Sequence, residues 1–269
     1  MTLAAPRYEL IPIRGMLDEA ERLPAGATIA VTCSPKHGIE RTLEASVELA
    51  KRGYVAIPHI ASRLVRDESH LELILQTLAQ HSLDEVFVVG GDAPAPVGNF
   101  DGAVPLLKAM AASPLRPARI GVTGYPEGHA EISNDALEAA LIAKRPYADY
   151  LVTQLCFDSA PILQWLMDIH QRGIGLPAWI GLPGVMDPRR LLSISLKIGI
   201  GSSLRVLKRN QGITRQLWNG AYAPDHLIDP LLDAIGMPGA PPVCGFHLNT
   251  FNNVAPLLDW QANRLAETA

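Results

Sequence analysis

Side chains capable of chemistry recur in this sequence within, or directly after, short apolar runs. They are Glu9, Thr32, His59, Asp92, Tyr125, His129, Gln154 and Asn249. Carboxylates and imidazoles transfer protons or bind metal ions, and hydroxyl and amide groups hold a ligand by hydrogen bonds. Where parallel strands end at one edge of a sheet or barrel, such groups can share a single site.

Taken one at a time, these residues also have structural interpretations. Glu9 inside an apolar run could form a buried ion pair with Arg14 or Lys36. The triplet 90–92, Gly-Gly-Asp, is typical of a turn or a helix N-cap. A lone histidine such as His59 or a lone amide such as Gln154 usually satisfies its neighbours by hydrogen bonds. Convergence of all of them on one site is what favours function.

A metal centre, a dinucleotide-binding loop and a nucleophile elbow are each disfavoured by spacing. His59, Asp92, Glu127 and His129 are suitable metal ligands, but no two of them follow the H-x-H or H-E-x-x-H spacing, so we expect no metal. The glycine-rich stretch 199–204 follows a predicted helix rather than a strand, which favours a loop. No G-x-S-x-G motif is present.

Eight apolar runs rich in β-branched residues predict eight strands. Several are apolar almost throughout, as expected for strands covered on both faces in a parallel sheet. The predicted strands are Tyr8–Pro12, Thr28–Cys33, Tyr54–His59, Val86–Val89, Arg119–Thr123, Tyr150–Leu155, Ala178–Leu182 and Val243–Leu248.

Segments of helical periodicity lie between these runs and predict a (β/α)8 TIM barrel in a single domain over residues 1–269. The predicted helices are Ile39–Arg52, Glu68–His81, Asp135–Lys144, Ala160–Arg172 and Pro188–Ile198, with further helices over Leu204–Asn210 and Ile213–Ile235. The last two belong to an insertion between strands seven and eight, at about 185–242. A doubly wound open sheet is the alternative, but residues 9–15 lack its glycine fingerprint.

Composition excludes several classes of protein. The 269 residues are 48% hydrophobic and 19% charged, which supports a sizeable core and excludes wholesale disorder. The net charge of -4, without a basic block, argues against a nucleic-acid partner. Three cysteines without C-x-x-C spacing, no apolar run of membrane-spanning length and no signal-like start predict a soluble, cytoplasmic protein.

Two stretches closely resemble the signatures of methylenetetrahydrofolate reductases. Residues 125–131 resemble Y-P-E-x-H-x-E, and residues 152–158 resemble I-T-Q-x-x-F-D. Weaker matches follow in the same order along the chain. These are 8–12 with F-E-F-x-P, 58–59 with the proline and histidine of the third strand, 91–94 with G-D-x-P, 183–185 with P-G-I and 246–252 with F-H-x-Y-T-x-N.

This resemblance implies an oxidoreductase of one-carbon metabolism and methionine biosynthesis. Such an enzyme interconverts 5,10-methylenetetrahydrofolate and 5-methyltetrahydrofolate by hydride transfer through FAD, which NADH or NADPH reduces first. The resemblance makes Glu9 the general acid, a role that an apolar strand supports because it favours the protonated carboxyl group. The physiological direction stays open. Candidate assemblies are a homo-oligomer and a complex with a methyltransferase.

The resemblance also assigns roles to the other candidate residues. It places Asp92 beside both flavin and pterin as a catalytic and binding residue, and Gln154 and Asn249 against the folate. The residues it assigns to the flavin site are Thr32, His59, Asp92, Tyr125, His129 and Lys144, the last as the lysine at the flavin phosphate.

Departures from the family pattern leave rivals open. Gly90 stands where the family usually has arginine, and Asn249 and Asn253 replace a tyrosine and an arginine of strand eight. The first rival is a flavin-independent folate oxidoreductase that takes hydride directly from a nicotinamide. The second is a non-catalytic folate-binding partner of a methyltransferase, against which Glu9 argues, because binding alone needs no general acid.

Overall fold

The computed structural model describes residues 3–187, 189–191, 193, 222–235, 237 and 239–267, and its eight strands close into a barrel in the order β1 to β8. The predicted TIM barrel is therefore confirmed. The strands are β1 Arg7–Leu10, β2 Thr28–Val31, β3 Val55–Ala61, β4 Glu85–Val89, β5 Arg119–Gly124, β6 Tyr150–Thr153, β7 Ala178–Pro183 and β8 Val243–Asn249.

Helices separate the strands in the part of the chain that is described. They are α1 Met16–Ala20, α2 Gly38–Lys51, α3 Glu68–Gln80, α4 Ala103–Ala112, α5 Asn134–Lys144, α6 Ser159–Gln171, α7 Asp225–Ile235 and α8 Val254–Glu267. The predictions for α2, α3, α5 and α6 agree to within one residue at each end. Two of these helices start at aspartate caps, where the carboxylates of Asp67 and Asp158 accept hydrogen bonds from backbone N–H groups of the first turn.

The chain contains two compact units, and the first comprises Arg7–Thr123 with Ile142–Leu151. It contains β1 to β4, whose neighbours pair in parallel with Glu9 opposite Ala30 and His59 opposite Phe87. Their apolar side chains form its core, including Leu10, Ile29 and Ile57, which are at most 1% exposed.

The amino ends of β1, β4 and β5 hold an ion-pair cluster in which Arg7 is buried and Arg119 is half exposed. The Arg7 guanidinium lies 2.6 Å from the Glu85 carboxylate and stacks over the Tyr150 ring at 4.5 Å. Arg119 reaches the same carboxylate at 3.3 Å. Gly121 leaves the space that the Tyr150 ring fills, since a Cβ there would lie 2.3 Å from the ring. Burial raises the pKa of the Tyr150 hydroxyl well above its usual value, so it stays protonated.

The second unit comprises Met1–Pro6, Gly124–Leu141 and Val152–Ala269. Its strands β7 and β8 pair in parallel with a register shift between Ala178 and Trp179, and Gly245 leaves room for the Trp179 ring. Much of the predicted insertion at 185–242, including the predicted helix Leu204–Asn210 and most of Pro188–Ile198, lies outside the described residues. The described part of the predicted helix Ile213–Ile235 contains α7, which continues through Pro230.

Membrane spanning was assessed for the described helices, and none combines the length and the apolar character that crossing a bilayer requires.

Candidate active site

Glu9 and His59 form the centre of the candidate site in the first unit. Glu9 lies between buried Tyr8 and Leu10 on β1, and its side chain is 19% exposed. The His59 Nε2 lies 3.8 Å from the Glu9 Oε2, and its ring packs edge-on against Phe87 with centroids 4.8 Å apart. Apolar neighbours and the His59 imidazole therefore lie beside a carboxyl group that still reaches solvent. That arrangement suits a proton donor.

Thr32 and Cys33 directly follow β2, which is the strand between β1 with Glu9 and β3 with His59. The Thr32 N–H donates to the Leu10 carbonyl at 3.0 Å, and its own carbonyl accepts from the Thr42 hydroxyl at 2.9 Å. These bonds fix the backbone and leave the half-buried Thr32 side chain for a ligand. Burial raises the pKa of the Cys33 thiol, which keeps it protonated at neutral pH and a poor nucleophile.

Asp92 lies on the segment that follows β4 and is exposed. Its carboxylate accepts no hydrogen bond from the rest of the described chain. Gly91 adopts a left-handed φ of 95°, and a Cβ there would lie 3.1 Å from the Cβ of Ala61. Glycine at 91 thus allows both the turn and the close approach of this segment to the end of β3.

Lys144, at the end of α5, is buried rather than presented to solvent. It is 4% exposed, and its Nζ donates to the Thr123 carbonyl at 2.8 Å and to the Thr123 hydroxyl at 3.2 Å. Burial lowers the pKa of Lys144 to about 8. No carboxylate pairs with it among the residues whose placement is described, so the fold carries a costly cation at the end of β5.

In the second unit, Glu127 joins the segment after β5 to the segment after β6. Its carboxylate accepts hydrogen bonds from the backbone N–H groups of Phe157 and Asp158, at 3.2 and 3.1 Å. Asp158 is the N-cap of α6, so Glu127 also places negative charge near a helix N-terminus. Two backbone donors hold this carboxylate, which favours a structural role over metal ligation.

Tyr125 and His129 lie close together in the same unit. Their rings meet edge-on with centroids 5.7 Å apart, and both residues are half-buried. The Nδ1 of His129 accepts a hydrogen bond from the Glu131 N–H at 3.2 Å, which orients the ring.

Gln154 directly follows β6, and Asn249 is the last residue of β8. The Gln154 N–H donates to the Gly124 carbonyl at 2.7 Å, and its side-chain oxygen accepts from the Leu155 N–H. Asn249 is half-buried, and its carbonyl accepts from the Gly184 N–H at 2.9 Å. The amide NH2 group of Gln154 donates to no described group, so it is available to a ligand.

The sequence profile of methylenetetrahydrofolate reductases matches residues 5–195, which is more than half of the chain. The chain belongs to the methylenetetrahydrofolate reductase family. Within the matched range lie all the candidate residues named above except Asn249. The recognition made from the sequence motifs is thus confirmed.

Two yeast members of the methylenetetrahydrofolate reductase family match over shorter stretches. Methylenetetrahydrofolate reductase 1 of Schizosaccharomyces pombe is 26% identical over 115 residues, covering 42% of this chain and 16% of that protein. Methylenetetrahydrofolate reductase 2 of Saccharomyces cerevisiae is 29% identical over 120 residues, covering 40% and 20%. A chitinase structure from Rhizomucor miehei gives a TM-score of 0.38 at 11% identity over 66% of this chain and 69% of that one.

The sequence motifs of this methylenetetrahydrofolate reductase family member did not identify Arg63 and Thr123 as residues that contact the candidate site residues. Arg63 lies in a short 3-10 turn after β3, and it bonds to backbone carbonyls of the segment that carries Asp92. Thr123 is the partner of Lys144. Neither contact has a sequence signal, because both join residues more than 20 positions apart through backbone atoms.

Proposed function

We propose that this protein interconverts 5,10-methylenetetrahydrofolate and 5-methyltetrahydrofolate, with Glu9 as the general acid and base. The observation that carries the proposal is the partly exposed Glu9 carboxyl group, set in an apolar strand with His59 Nε2 at 3.8 Å. Family membership supports a folate as the substrate and an oxidoreductase as the type of enzyme.

The chemistry requires one proton and one hydride. Protonation of a ring nitrogen breaks its bond to the methylene carbon and opens the five-membered ring to an iminium ion, and hydride addition to that carbon then gives the methyl group. Glu9 donates the proton, and in the reverse direction its carboxylate takes it back. The polar His59 ring beside it stabilises the carboxylate that is left after donation.

Asp92, Gln154 and Asn249 serve as substrate contacts in this proposal. Asp92 offers an exposed carboxylate that can accept hydrogen bonds from the N–H groups of a pterin, and Gln154 offers an amide NH2 group. Both stand on segments that directly follow strands, where barrel enzymes bind their substrates.

FAD is the hydride carrier that the family resemblance implies, and when bound it would supply a two-electron hydride store. The partly exposed Thr32, Tyr125 and His129 and the exposed Asp92 have side chains suited to contact it. Lys144 does not suit a phosphate, because its ammonium group is buried and committed to Thr123. The phosphate contact that the resemblance implies for Lys144 therefore does not fit a bound flavin.

Direct hydride transfer from NADH or NADPH is the second candidate. Lys144 favours it for the reason just given, and Gly90 favours it because the position before Gly91-Asp92 carries no side chain to contact a flavin. Folate binding without catalysis, in partnership with a methyltransferase, is weaker because it leaves Glu9 without a purpose.

The test is the absorbance spectrum of protein purified without added cofactor, followed by FAD titration and anaerobic addition of 5-methyltetrahydrofolate. Flavin bands that bleach with the folate support the flavoenzyme. A colourless protein that forms NADH or NADPH from 5-methyltetrahydrofolate and the oxidised nicotinamide supports direct transfer. Failure to interconvert the two folates under either condition would overturn the proposal.

A further inference from the structure

The segment between β4 and α4, residues 90–102, carries Asp92 without any helix or strand of its own. Its conformation must therefore come from the residues on which it lies. The Asp92 carboxylate accepts no hydrogen bond within the described chain, so the position of this carboxylate depends on the backbone around it. What fixes that backbone also fixes Asp92.

Arg63 makes four hydrogen bonds to this segment. Its backbone N–H donates to the Gly90 carbonyl at 3.0 Å, and its carbonyl accepts from the Val97 N–H at 2.9 Å. Its guanidinium donates from Nη1 to the Ala93 carbonyl at 2.8 Å and from Nε to the Asp101 carbonyl at 3.0 Å. One side chain thus joins positions on both sides of the loop.

Close backbone packing supports the same arrangement. The Asn99 N–H donates to the Arg66 carbonyl at 3.0 Å, and a Cβ at Gly98 would lie 1.6 Å from that carbonyl oxygen. Glycine is therefore required at 98 for the loop to lie against residues 63–66. Ala93 and Phe100 are buried at its two ends, 5% and 4% exposed.

The guanidinium of Arg63 pairs with no carboxylate among the residues that the structure describes, and its hydrogen bonds there go to backbone carbonyl oxygens. The planar guanidinium holds donors in a fixed fork that reaches two carbonyls eight positions apart in sequence, whereas a lysine ammonium on a flexible stem offers no such fixed geometry. The geometry, rather than the charge, is what arginine provides here.

We infer that Arg63 is a positioning residue that sets the conformation of the 90–102 segment and thereby the place of the Asp92 carboxylate. The inference about the segment stands on geometry alone. Its consequence for folate turnover rests on the proposed function, in which Asp92 contacts the substrate.

The experiment compares Arg63→Met and Arg63→Lys with the control Arg66→Met in the full chain. Arg66 lies on the same short stretch, and its exposed side chain pairs with Glu40 at 3.5 Å, away from the loop. Hydrogen exchange of peptides covering residues 90–102 is measured first. We expect exchange about tenfold faster or more in both Arg63 variants and unchanged in Arg66→Met, because only the former lose bonds to the loop.

The second readout is a double-mutant cycle with Asp92→Asn on 5,10-methylenetetrahydrofolate reduction. If Arg63 acts through Asp92, Arg63→Lys lowers kcat/KM about tenfold alone and adds almost nothing in the Asp92→Asn background. Arg63→Lys keeps the charge and serves where Arg63→Met does not fold.

Unchanged exchange in the 90–102 peptides of Arg63→Lys would overturn the inference, and so would fully additive losses in the cycle. If the wild-type protein turns over no folate, the proposed function fails and the exchange result alone decides the role of Arg63.

Discussion

Arg7 and Glu9 lie two residues apart on the same face of β1, yet their side chains have different surroundings. Arg7 is 3% exposed, lies 2.6 Å from Glu85 and stacks over the Tyr150 ring. Glu9 keeps 19% of its side chain exposed and has the His59 imidazole 3.8 Å away. The Arg7 guanidinium is therefore enclosed with its counterion, whereas the Glu9 carboxyl group stays accessible to a ligand.

This difference indicates that one end of the first unit stabilises the barrel, whereas the other end holds the proposed site. At the amino ends, Glu85 forms ion pairs with Arg7 and Arg119, and Arg7 stacks over the Tyr150 ring. At the carboxyl ends, an exposed Asp92 and a buried Lys144 stand without paired opposite charges in the described chain. Groups whose charges are left uncompensated can respond to a substrate, which is what a barrel active site requires.

The largest expected effect on this contrast is that of Glu85→Ala. It strips a buried Arg7 of its counterion, and we expect the free energy of unfolding to fall by about 3–5 kcal/mol. We expect turnover per folded molecule to stay unchanged, because Glu85 lies at the amino end of β4 and the proposed site lies at the carboxyl ends of the strands. Urea denaturation measures the loss. The control Glu44→Ala removes an exposed pair with Arg41 and costs about 0.5 kcal/mol or less. A Glu85→Ala loss no larger than that would show that the cluster does not stabilise the barrel.

Lys144 tests the same comparison at the carboxyl ends of the strands, because burial of its charge destabilises the fold. Its folded-state pKa of about 8 lies below the ordinary 10.5, so the unfolded chain binds more protons between these values and stability rises with pH across that window. The shift corresponds to on the order of 3 kcal/mol. Relative to Lys144→Met, the wild-type protein should gain stability from pH 8 to 10.5 in urea denaturation. Parallel pH profiles for the two proteins would contradict the burial of a charged lysine.

Gly121→Ala tests the packing of the amino-end cluster without removing a charge. The new methyl group would meet the Tyr150 ring at 2.3 Å, and because that ring is buried it cannot swing away freely. We expect a loss of about 1–3 kcal/mol by thermal or urea denaturation. Gly90→Ala is the matched control, since nothing lies within 4 Å of a Cβ there. Equal stability of the two variants would refute the tight fit.

Glu127 tests whether a carboxylate after a strand must be functional. Glu127→Ala removes the acceptor of two backbone N–H groups and should cost about 1–2 kcal/mol. Glu127→Gln keeps an oxygen there and should retain most of that stability. If Glu127→Gln keeps the fold but abolishes folate turnover, the carboxylate has a chemical role that its hydrogen bonds do not reveal.

The barrel could be predicted from sequence because each fully covered strand is a continuous apolar run. The runs at Thr28 and Arg119 begin where the strands do, since burial on both faces dictates their composition. Helix α4 was not predicted, because Ala103–Ala112 is apolar nearly throughout and shows little helical periodicity. Helices α1 and α8 were also absent from the prediction.

The candidate residues could be named from motifs, but their partners could not. The sequence pointed to Glu9 and His59, and the distance between them depends on the register across β1 to β3. Lys144 was expected to hold a phosphate and is instead buried against Thr123, because its side chain turns toward the backbone of β5. Glu127 resembled a metal ligand by residue type, and only its contacts with Phe157 and Asp158 reveal a structural role.

The most direct test of the central claim is the turnover of 5,10-methylenetetrahydrofolate by Glu9→Gln beside the wild-type protein, with folate affinity and urea denaturation measured on the same preparations. Loss of the general acid should lower turnover on the order of a hundredfold or more, while folate affinity stays within roughly tenfold and the free energy of unfolding is unchanged. Turnover equal to that of the wild-type protein would remove Glu9 from the mechanism and contradict the division of β1 into a stabilising and a catalytic charge.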